Sequence, residues 1–237
     1  MNKEENPPLP EQRAYRKQYE AFFAPLGRKI ANLGISADTL SFLNLVFSFL
    51  VCVAFILSSN DNYLYIYVAM GFLIIASFFD MIDGSVARAT KEKHPEKEYS
   101  KFGAVLDPAI DRYSEAFIVL GIMLSGYVPG EFVLFTFVGM IMASYVRARA
   151  ESLGMTNCSV GIERKEKITL LAIGATLEAL MIQLTQSHTF DFSLFHIPYP
   201  FFGFTGSLGP LAIFTLIVGV LSHISTYQRL KLAKQYL

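Results

Sequence analysis

The stretch that decides the fold is Asp80-Met-Ile-Asp83-Gly84-Ser-Val-Ala87-Arg88, at the end of a long hydrophobic segment. On a helix, Asp80, Asp83 and Gly84 occupy positions i, i+3 and i+4 of one face. Ala87 adds position i+7 to that face. The pattern therefore predicts a helix with two carboxylates on the same side.

A second one-sided array follows after fourteen residues, in Gly103-Ala-Val-Leu-Asp107-Pro-Ala-Ile-Asp111. Gly103, Asp107 and Asp111 are spaced by four residues, so they also share one helical stripe. An Asp near the centre of a bilayer costs roughly 2.5 to 3.5 kcal/mol, and four facing lipid would cost on the order of 10 kcal/mol. That cost rivals the stability of an ordinary domain, about 5 to 15 kcal/mol. The four carboxylates must therefore face one another, water or cations.

Clustered carboxylates raise one another's pKa unless positive charge lies between them. Hard divalent cations such as Mg²⁺ take oxygen ligands and are often shared with substrate phosphates. The array therefore predicts a two-metal phosphate site. The alternative is a set of ion-paired residues at helix ends that has no chemical role.

The two stretches resemble the signature of the CDP-alcohol phosphatidyltransferases. The matching pattern is D-x2-D-G-x2-A-R, a spacer, then G-x3-D-x3-D, and both halves are intact here. The family's usual spacer is eight residues, whereas residues 89–102 provide fourteen, ATKEKHPEKEYSKF. Because the added residues are largely charged, we interpret them as a solvated loop extension.

The resemblance implies a role for each aspartate. Asp80, Asp83 and Asp107 would hold two divalent ions, Mg²⁺ or Mn²⁺. Asp111 would also lie near the second ion and act as the base that deprotonates the incoming hydroxyl. The donor substrate would be a CDP-lipid, CDP-diacylglycerol or CDP-archaeol, and CMP would leave.

Further residues are implied to bind the CDP-lipid. Gly84 and Ala87 would let the nucleotide approach the backbone, and Arg88 would reach a phosphate or the paired carboxylates. The segment Ile-Ser-Ala-Asp38-Thr-Leu-Ser41 is similar to the family's P-N-x-x-T segment, which lies near the nucleotide. It differs by Ala for Pro, Asp38 for Asn and Ser41 for Thr.

Two more segments are similar to the branch that makes phosphatidylinositol phosphate or its archaeal ether-lipid counterpart. They are residues 144–151, SYVRARAE, and residues 161–167, GIERKEK. In that branch the acceptor is inositol 1-phosphate, a phosphorylated polyol whose phosphate is bound by basic residues. The resemblance implies Arg147, Lys167 and Arg229 for this role, with Lys167 at a position where the branch usually has Arg. Glycerol 3-phosphate and serine are the alternative acceptors, and basic residues that only anchor the membrane surface are the alternative interpretation.

The composition indicates an all-α polytopic membrane protein. The chain has 237 residues, of which 53% are hydrophobic and only 17% charged. Hydrophobic segments near the length of about 17 to 25 residues needed to cross a bilayer occur six times. We therefore predict six transmembrane helices, at residues 39–58, 63–88, 102–125, 132–150, 167–186 and 208–231.

The positions of Lys and Arg predict the orientation. All 20 Lys and Arg residues except Arg112 lie in four regions: the N-terminal segment, the loops after the second and fourth spans with their helix edges, and the C-terminus. The alternate loops, residues 59–62, 126–131 and 187–207, contain none. By the positive-inside rule, both termini and the aspartate array face the cytosol.

The first 38 residues are predicted to form a separate region, a tail followed by an amphipathic helix, ahead of the membrane domain at residues 39–237. Between Glu11 and Leu33, aromatic and aliphatic side chains alternate with Arg and Lys at helical spacing. This pattern is typical of a helix that lies on an anionic membrane surface, and a solvated first helix is the alternative.

Two carboxylates lie at membrane depth outside the array. Glu115 lies four residues after Asp111, and Arg112 lies one residue after it. We expect Glu115 and Arg112 to form an ion pair. For Glu178 an internal hydrogen bond and a polar contact in a dimer stay open. Residues 187–207 are rich in Phe and Tyr and predict an aromatic layer at the outer interface, which includes His188 and His196.

The expected partners are a CDP-lipid, a phosphorylated polyol and membrane lipids in a multi-pass cell-membrane protein, without nucleic acid. We also expect a homodimer. Two other classes are possible in principle. A membrane prenyltransferase needs more spans and lacks D-G-x2-A-R, and a small transporter would be expected to show broken helices or repeat symmetry.

Overall fold

The computed structural model describes residues 23–58, 62–93, 103–155, 160–185 and 208–236. These residues contain helices and no strand, which confirms the all-α fold class. Helix α1 comprises residues 23–32. The other helices are α2 Ala37–Leu57, α3 Leu64–Lys93, α4 Gly103–Leu124, α5 Gly130–Ser152, α6 Arg164–Thr185 and α7 Pro210–Tyr236.

The chain is a polytopic membrane protein, since five helices within its described part, α2, α3, α5, α6 and α7, are long and apolar enough to cross a membrane. Each corresponds to a predicted span. Helix α4 corresponds to the remaining one but carries four charged side chains, Asp107, Asp111, Arg112 and Glu115. Six as the number of spans therefore stays a prediction.

The helices divide between two compact units, and α2, α3 and α4 each contribute to both. The first unit contains α1 with residues up to Leu50 and from Gly71 to Phe117. Its core is formed by Leu40, Ile82 and Val86. Burial of such side chains is the main favourable term in packing, about 25 cal/mol per Å² of apolar surface.

Helix α1 packs against the first unit's core through Phe23, Leu26 and Ile30, which are the apolar side chains of the predicted amphipathic pattern. The approach is close at Gly27, where a Cβ would lie 2.8 Å from the backbone carbon of Ser85. The described part of this helix thus uses its apolar face against α2 and α3. Its position on a membrane surface stays a prediction, and residues 11–22 lie outside the described residues.

The start of α2 follows from its local sequence. Gly34 adopts φ +79° in the preceding turn, a conformation that favours glycine. The Ser36 hydroxyl then accepts a hydrogen bond from the Thr39 N–H at 3.2 Å, as expected of an N-cap residue. This cap places Asp38 in the first helical turn, where a negative charge suits the helix dipole.

The second unit contains α5, α6 and α7 together with residues from Val51 to Met70 and the end of α4. Glycines permit close helix contacts here. A Cβ on Gly174 would lie 2.6 Å from Phe214 Cβ, and one on Gly219 would lie 2.6 Å from Thr136 Oγ1. The Thr136 hydroxyl also donates to the Thr215 carbonyl at 2.8 Å, which joins α5 to α7.

Predictions for residues 94–102 and 186–207 lie outside the described residues. The predicted solvated loop is wrong for residues 89–93, which continue α3 as a helix and include the buried Ala89. The rest of that spacer, the outer aromatic layer and the two histidines within it are among the residues not described. The division of the chain at residue 38 also stays a prediction.

Candidate active site

The aspartate array begins near the C-terminal end of α3, with Asp80 and Asp83 both half-buried. The Ser41 hydroxyl donates to Asp83 Oδ2 at 3.1 Å and also lies 3.3 Å from the carbonyl oxygen of Ala37. Asp80 and Asp107 interact electrostatically with Asp83. The first unit therefore brings together Asp80, Asp83, Asp107 and Ser41, which are predicted residues from three helices.

Asp111 lies one helical turn after Asp107 on α4. Its Oδ2 lies 3.8 Å from Arg112 Nη2. Arg112 Nη2 also pairs with Glu115 Oε1 at 3.1 Å, and the Glu115 side chain is fully buried. The predicted Glu115–Arg112 pair is thus confirmed, and Arg112 supplies positive charge beside both carboxylates.

Gly84 has open space on its Cβ side. The nearest described atom to a Cβ built there is Arg88 Nη1, at the ordinary contact distance of 3.8 Å. A glycine inside a helix costs about 1 kcal/mol relative to alanine. Helix packing among the described residues does not require a glycine at position 84. Its predicted role, to let a ligand approach the backbone, stays a prediction.

Two other residues predicted to bind the CDP-lipid follow Gly84 on α3. Ala87 is half-buried one turn after Asp83, whereas Arg88 is exposed and donates from Nη2 to Ser85 Oγ at 3.3 Å. Asp38 is exposed at the start of α2, and its Oδ1 lies 3.8 Å from the position of a Cβ on Gly103. The start of α2 and the start of α4 are therefore neighbours.

The oxygen-rich donor set suits hard divalent cations. No group of three Asp, Glu, His or Cys side chains is already arranged as metal ligands among the residues that the structure describes. Asp83 nevertheless experiences repulsion from the carboxylates of Asp80 and Asp107. A bound cation would convert that repulsion into attraction, so the residues fit a divalent metal in kind.

The predicted acceptor residues lie at one end of α5, α6 and α7 in the second unit. Arg147 is partly exposed and its Nε donates to Glu151 Oε1 at 2.9 Å, one turn along α5. Lys167 lies in the first turn of α6 and is only 2% exposed. Arg229 lies in the last part of α7 and is 4% exposed.

The Arg229 guanidinium contacts backbone in two other parts of the unit. Its Nε donates to the Val160 carbonyl at 3.0 Å, and its Nη1 donates to the Ala143 carbonyl at 2.6 Å. Ala143 lies one turn before Arg147 on α5. Arg229 therefore joins α7 to α5 and to the segment that precedes α6.

A cavity of about 580 Å³ lies between the start of α6 and α7. Apolar side chains contribute much of its lining, and Lys165, Glu166 and Thr169 contribute polar groups. Arg147, Lys167 and Arg229 do not line it. We therefore do not assign this cavity to a phosphorylated polyol.

The structure identifies a contact for Glu178 that the sequence left open. Glu178 is 0% exposed, and its Oε2 accepts a hydrogen bond from the Leu211 N–H at 2.9 Å. Leu211 is in the first turn of α7, so the carboxylate meets the positive end of that helix. Of the two alternatives, the internal hydrogen bond is the one observed.

Comparison with known proteins identifies the family. Residues 35–224 match the sequence model of CDP-alcohol phosphatidyltransferase, which is most of the chain. The archaetidylinositol phosphate synthase of Pyrococcus horikoshii is 36% identical over 159 residues, 66% of this chain and 78% of that protein. The phosphatidylinositol phosphate synthase of Mycobacteroides abscessus is 34% identical over 105 residues, 42% of this chain and 45% of that protein.

The fold is also similar to solved structures. The crystal structure of Mycobacterium tuberculosis phosphatidylinositol phosphate synthase with CDP-DAG bound superposes with a TM-score of 0.61 at 23% identity, covering 89% of this chain and 92% of that one. The structure of the same enzyme in complex with manganese and citrate gives 0.62 at 22% identity, covering 89% and 88%. The chain, a membrane transferase, belongs to the CDP-alcohol phosphatidyltransferase family.

Proposed function

We propose that this transferase moves a phosphatidyl-type group from a CDP-lipid to the hydroxyl of inositol 1-phosphate and releases CMP. The group is diacylglycerol phosphate or archaeol phosphate. The observation that carries the acceptor is the 36% identity to a relative named archaetidylinositol phosphate synthase. Glycerol 3-phosphate is the second candidate acceptor, since its phosphate would suit the same basic residues, and serine is the third.

Asp80, Asp83 and Asp107 would hold two divalent ions, Mg²⁺ or Mn²⁺, with Asp111 near the second. When bound, the ions would neutralise charge on the pyrophosphate. Ser41 would orient Asp83 through the hydrogen bond between Oγ and Oδ2. A hydrogen bond of this kind, from a residue that does not itself bind the metal, fixes the orientation of the metal ligand.

Asp111 would take the proton from the acceptor hydroxyl. The oxygen that loses this proton would bond to the lipid-linked phosphorus as the bond to CMP breaks. The Arg112 guanidinium, 3.8 Å from the Asp111 carboxylate, would help to hold that side chain in place beside the acceptor hydroxyl. Gly84, Ala87, Arg88 and Asp38 would contact the CDP portion.

Arg147, Lys167 and Arg229 would form the acceptor phosphate site. Arg147 is the member best able to exchange partners, because its ion pair with Glu151 is 41% and 49% exposed. Exposed ion pairs contribute about 0 to 1 kcal/mol, so a phosphate would displace Glu151 at little cost. Lys167 and Arg229 would supply buried charge behind it.

The acceptor is tested with purified enzyme, CDP-diacylglycerol or CDP-archaeol, and a panel of alcohols, following release of CMP. We expect turnover with inositol 1-phosphate and little with free inositol, which lacks the phosphate. Turnover with glycerol 3-phosphate alone, or with serine alone, would replace the proposed acceptor. No CMP release with any acceptor would contradict the reaction itself.

The phosphate site is tested with Arg147→Ala. A charge-assisted contact contributes roughly 1.5 to 3 kcal/mol, so the KM for inositol 1-phosphate should rise about ten- to a hundredfold while that for the CDP-lipid moves little. Arg149→Ala is the matched control, since Arg149 is an exposed arginine two residues along α5. An equal rise in both variants would indicate a general effect of surface charge.

We further propose that both termini and the active site face the cytosol of the cell membrane, and that the enzyme is a homodimer. The orientation is tested in a background lacking Cys52 and Cys158. A Cys at Lys93 should react with an impermeant reagent only after the membrane is opened, and one at Phe195 should react from outside. The opposite labelling pattern would invert the topology.

Cross-linking in membranes tests the dimer.

A further inference from the structure

Residues 160–162, which lie just before the start of α6, are bonded to α7. Gly161 adopts φ +84°, a backbone conformation that favours glycine. A Cβ at this position would lie 2.6 Å from Ser225 Cβ and 2.9 Å from Ser225 Cα. Gly161 is therefore required both by its backbone conformation and by the closeness of α7.

Ser225 forms the contact on the α7 side. Its Oγ accepts a hydrogen bond from the Ile162 N–H at 2.9 Å and donates to the Leu221 carbonyl at 2.7 Å. The residue is 1% exposed. One hydroxyl thus uses both its donor and an acceptor lone pair, and water has little access to compete for either.

Arg229, one turn further along α7, holds the residue on the other side of Gly161 through the Val160 carbonyl. The chain on both sides of Gly161 is therefore bonded to the same helix. We name this set, Val160, Gly161, Ile162, Ser225 and Arg229, the α7 clasp. Because Arg229 also bonds the Ala143 carbonyl, the clasp is joined to α5 near Arg147.

The clasp lies just before the start of α6. The Glu163 N–H donates to Glu166 Oε2 at 2.9 Å, which is one half of a capping box. The Lys167 N–H donates to the Glu163 carbonyl at 3.2 Å. Lys167 therefore follows the clasped segment by one helical turn, and a shift of that segment would move its buried ammonium group.

We propose that Ser225 is a positioning residue for the acceptor: its hydrogen bond to the Ile162 N–H holds the start of α6 so that Lys167 and Arg147 lie at the spacing required by a phosphorylated alcohol. This inference rests on the proposed function for the identity of that alcohol. Ser225 itself does not touch the reacting atoms. Its loss should therefore weaken use of the acceptor and leave the chemistry on the CDP-lipid intact.

The test compares Ser225→Ala with Ser222→Ala. Both serines are buried on α7 three residues apart, but Ser222 Oγ has no hydrogen-bond partner among the described residues. Ser225→Ala leaves the Ile162 N–H unsatisfied, and the free energy lost corresponds to a change of about five- to a hundredfold in a binding constant. We expect that rise in the KM for inositol 1-phosphate, with kcat and the KM for the CDP-lipid within about twofold of wild type.

Ser225→Thr provides the rescue. Threonine in a helix can keep its hydroxyl bonded to the carbonyl four residues earlier, which leaves the oxygen an acceptor for the Ile162 N–H, so the acceptor KM should be closer to wild type than in Ser225→Ala. If Ser225→Ala does not fold, Ser225→Cys takes its place, since a thiol accepts hydrogen bonds only weakly. Equal effects of the Ser225 and Ser222 changes, or a fall in kcat alone, would overturn the inference.

The result also separates this inference from the proposed function. If the wild type uses glycerol 3-phosphate and not inositol 1-phosphate, the same variants are measured with glycerol 3-phosphate. A selective rise in that KM supports the clasp while the proposed acceptor fails. An unchanged KM for whichever phosphorylated alcohol the wild type uses overturns the clasp.

Discussion

The two compact units use their charged groups differently. In the first unit Asp83 meets two like charges, Asp80 and Asp107, and accepts hydrogen bonds from the Ser41 hydroxyl and the Gly84 N–H. In the second unit Arg229 donates to two backbone carbonyls, and Glu178 accepts from a backbone N–H. Like charges held together cost free energy unless a cation joins them, whereas a hydrogen bond to backbone offsets part of the cost of burying a single charged group. The comparison indicates that the aspartates of the first unit need a cation, whereas Arg229 and Glu178 already hold the backbone of the second unit.

The largest effect on activity is expected at Asp111, in the first unit. Asp111→Asn keeps the shape of the side chain but removes the proton acceptor, so turnover should fall by about 10²- to 10⁴-fold while the CDP-lipid still binds. CMP release and equilibrium binding of the CDP-lipid measure the two effects. Normal CMP release from this variant would remove Asp111 from the role of base.

Glu178 tests the opposite role in the second unit. Glu178→Ala should leave the buried Leu211 N–H unsatisfied and destabilise the protein by about 1 to 3 kcal/mol. Glu178→Gln should lose less, because its amide oxygen can still accept that hydrogen bond. Thermal unfolding in detergent measures both, and kcat per folded molecule should stay unchanged. A selective loss of kcat with normal stability would place Glu178 in the catalytic machinery.

Gly27 tests how rigidly the aspartate helix is held. A Cβ on Gly27 would lie 2.8 Å from the Ser85 backbone, so Gly27→Ala must displace α1 or α3. Overpacking of this kind costs about 1 to 3 kcal/mol. We expect a higher Mn²⁺ concentration for half-maximal activity, since Asp83 and Gly84 directly precede Ser85. Gly71→Ala is the control, because no described atom lies within 4 Å of its Cβ position. Equal metal dependence in the two variants would show that α1 does not influence the aspartates.

The smallest effect is expected at Ser41. Ser41→Ala removes the hydrogen bond to Asp83, and a typical hydrogen bond contributes about 0.5 to 1.5 kcal/mol. The Mn²⁺ concentration for half-maximal activity should therefore rise about two- to tenfold, with a small change in the KM for the CDP-lipid. Ser48→Ala, at a buried serine on the same helix, is the matched control. A change confined to the CDP-lipid KM would favour direct contact with the nucleotide.

Several features could be predicted from local sequence. The helices follow from runs of apolar residues, and the shared face of Asp80 and Asp83 follows from their spacing of three. The Glu115–Arg112 pair could also be predicted, because residues three apart on a helix are neighbours. These properties depend on periodicity along one helix, and periodicity is fully contained in the sequence.

Contacts between helices had no such signal. Ser41 lies 42 residues from Asp83, Ser225 lies 63 from Ile162, and Arg229 lies 86 from Ala143. The sequence predicted a ligand-binding role for Arg229. Its bonds to backbone carbonyls could not be predicted, because every residue has a backbone carbonyl and the sequence does not distinguish among them. Gly161 was noticeable only within its motif, and nothing in the sequence linked it to Ser225.

By itself, the sequence determined a helical membrane chain with four aspartates on two helical stripes, since hydropathy and a period of 3.6 residues are local properties. Only the tertiary structure decided which hydroxyl orients Asp83, which helix end meets Glu178 and which helix holds the start of α6. Those choices depend on how closely distant segments approach at Gly27, Gly161 and Gly174. That closeness is set by packing between distant segments and cannot be read from either segment alone.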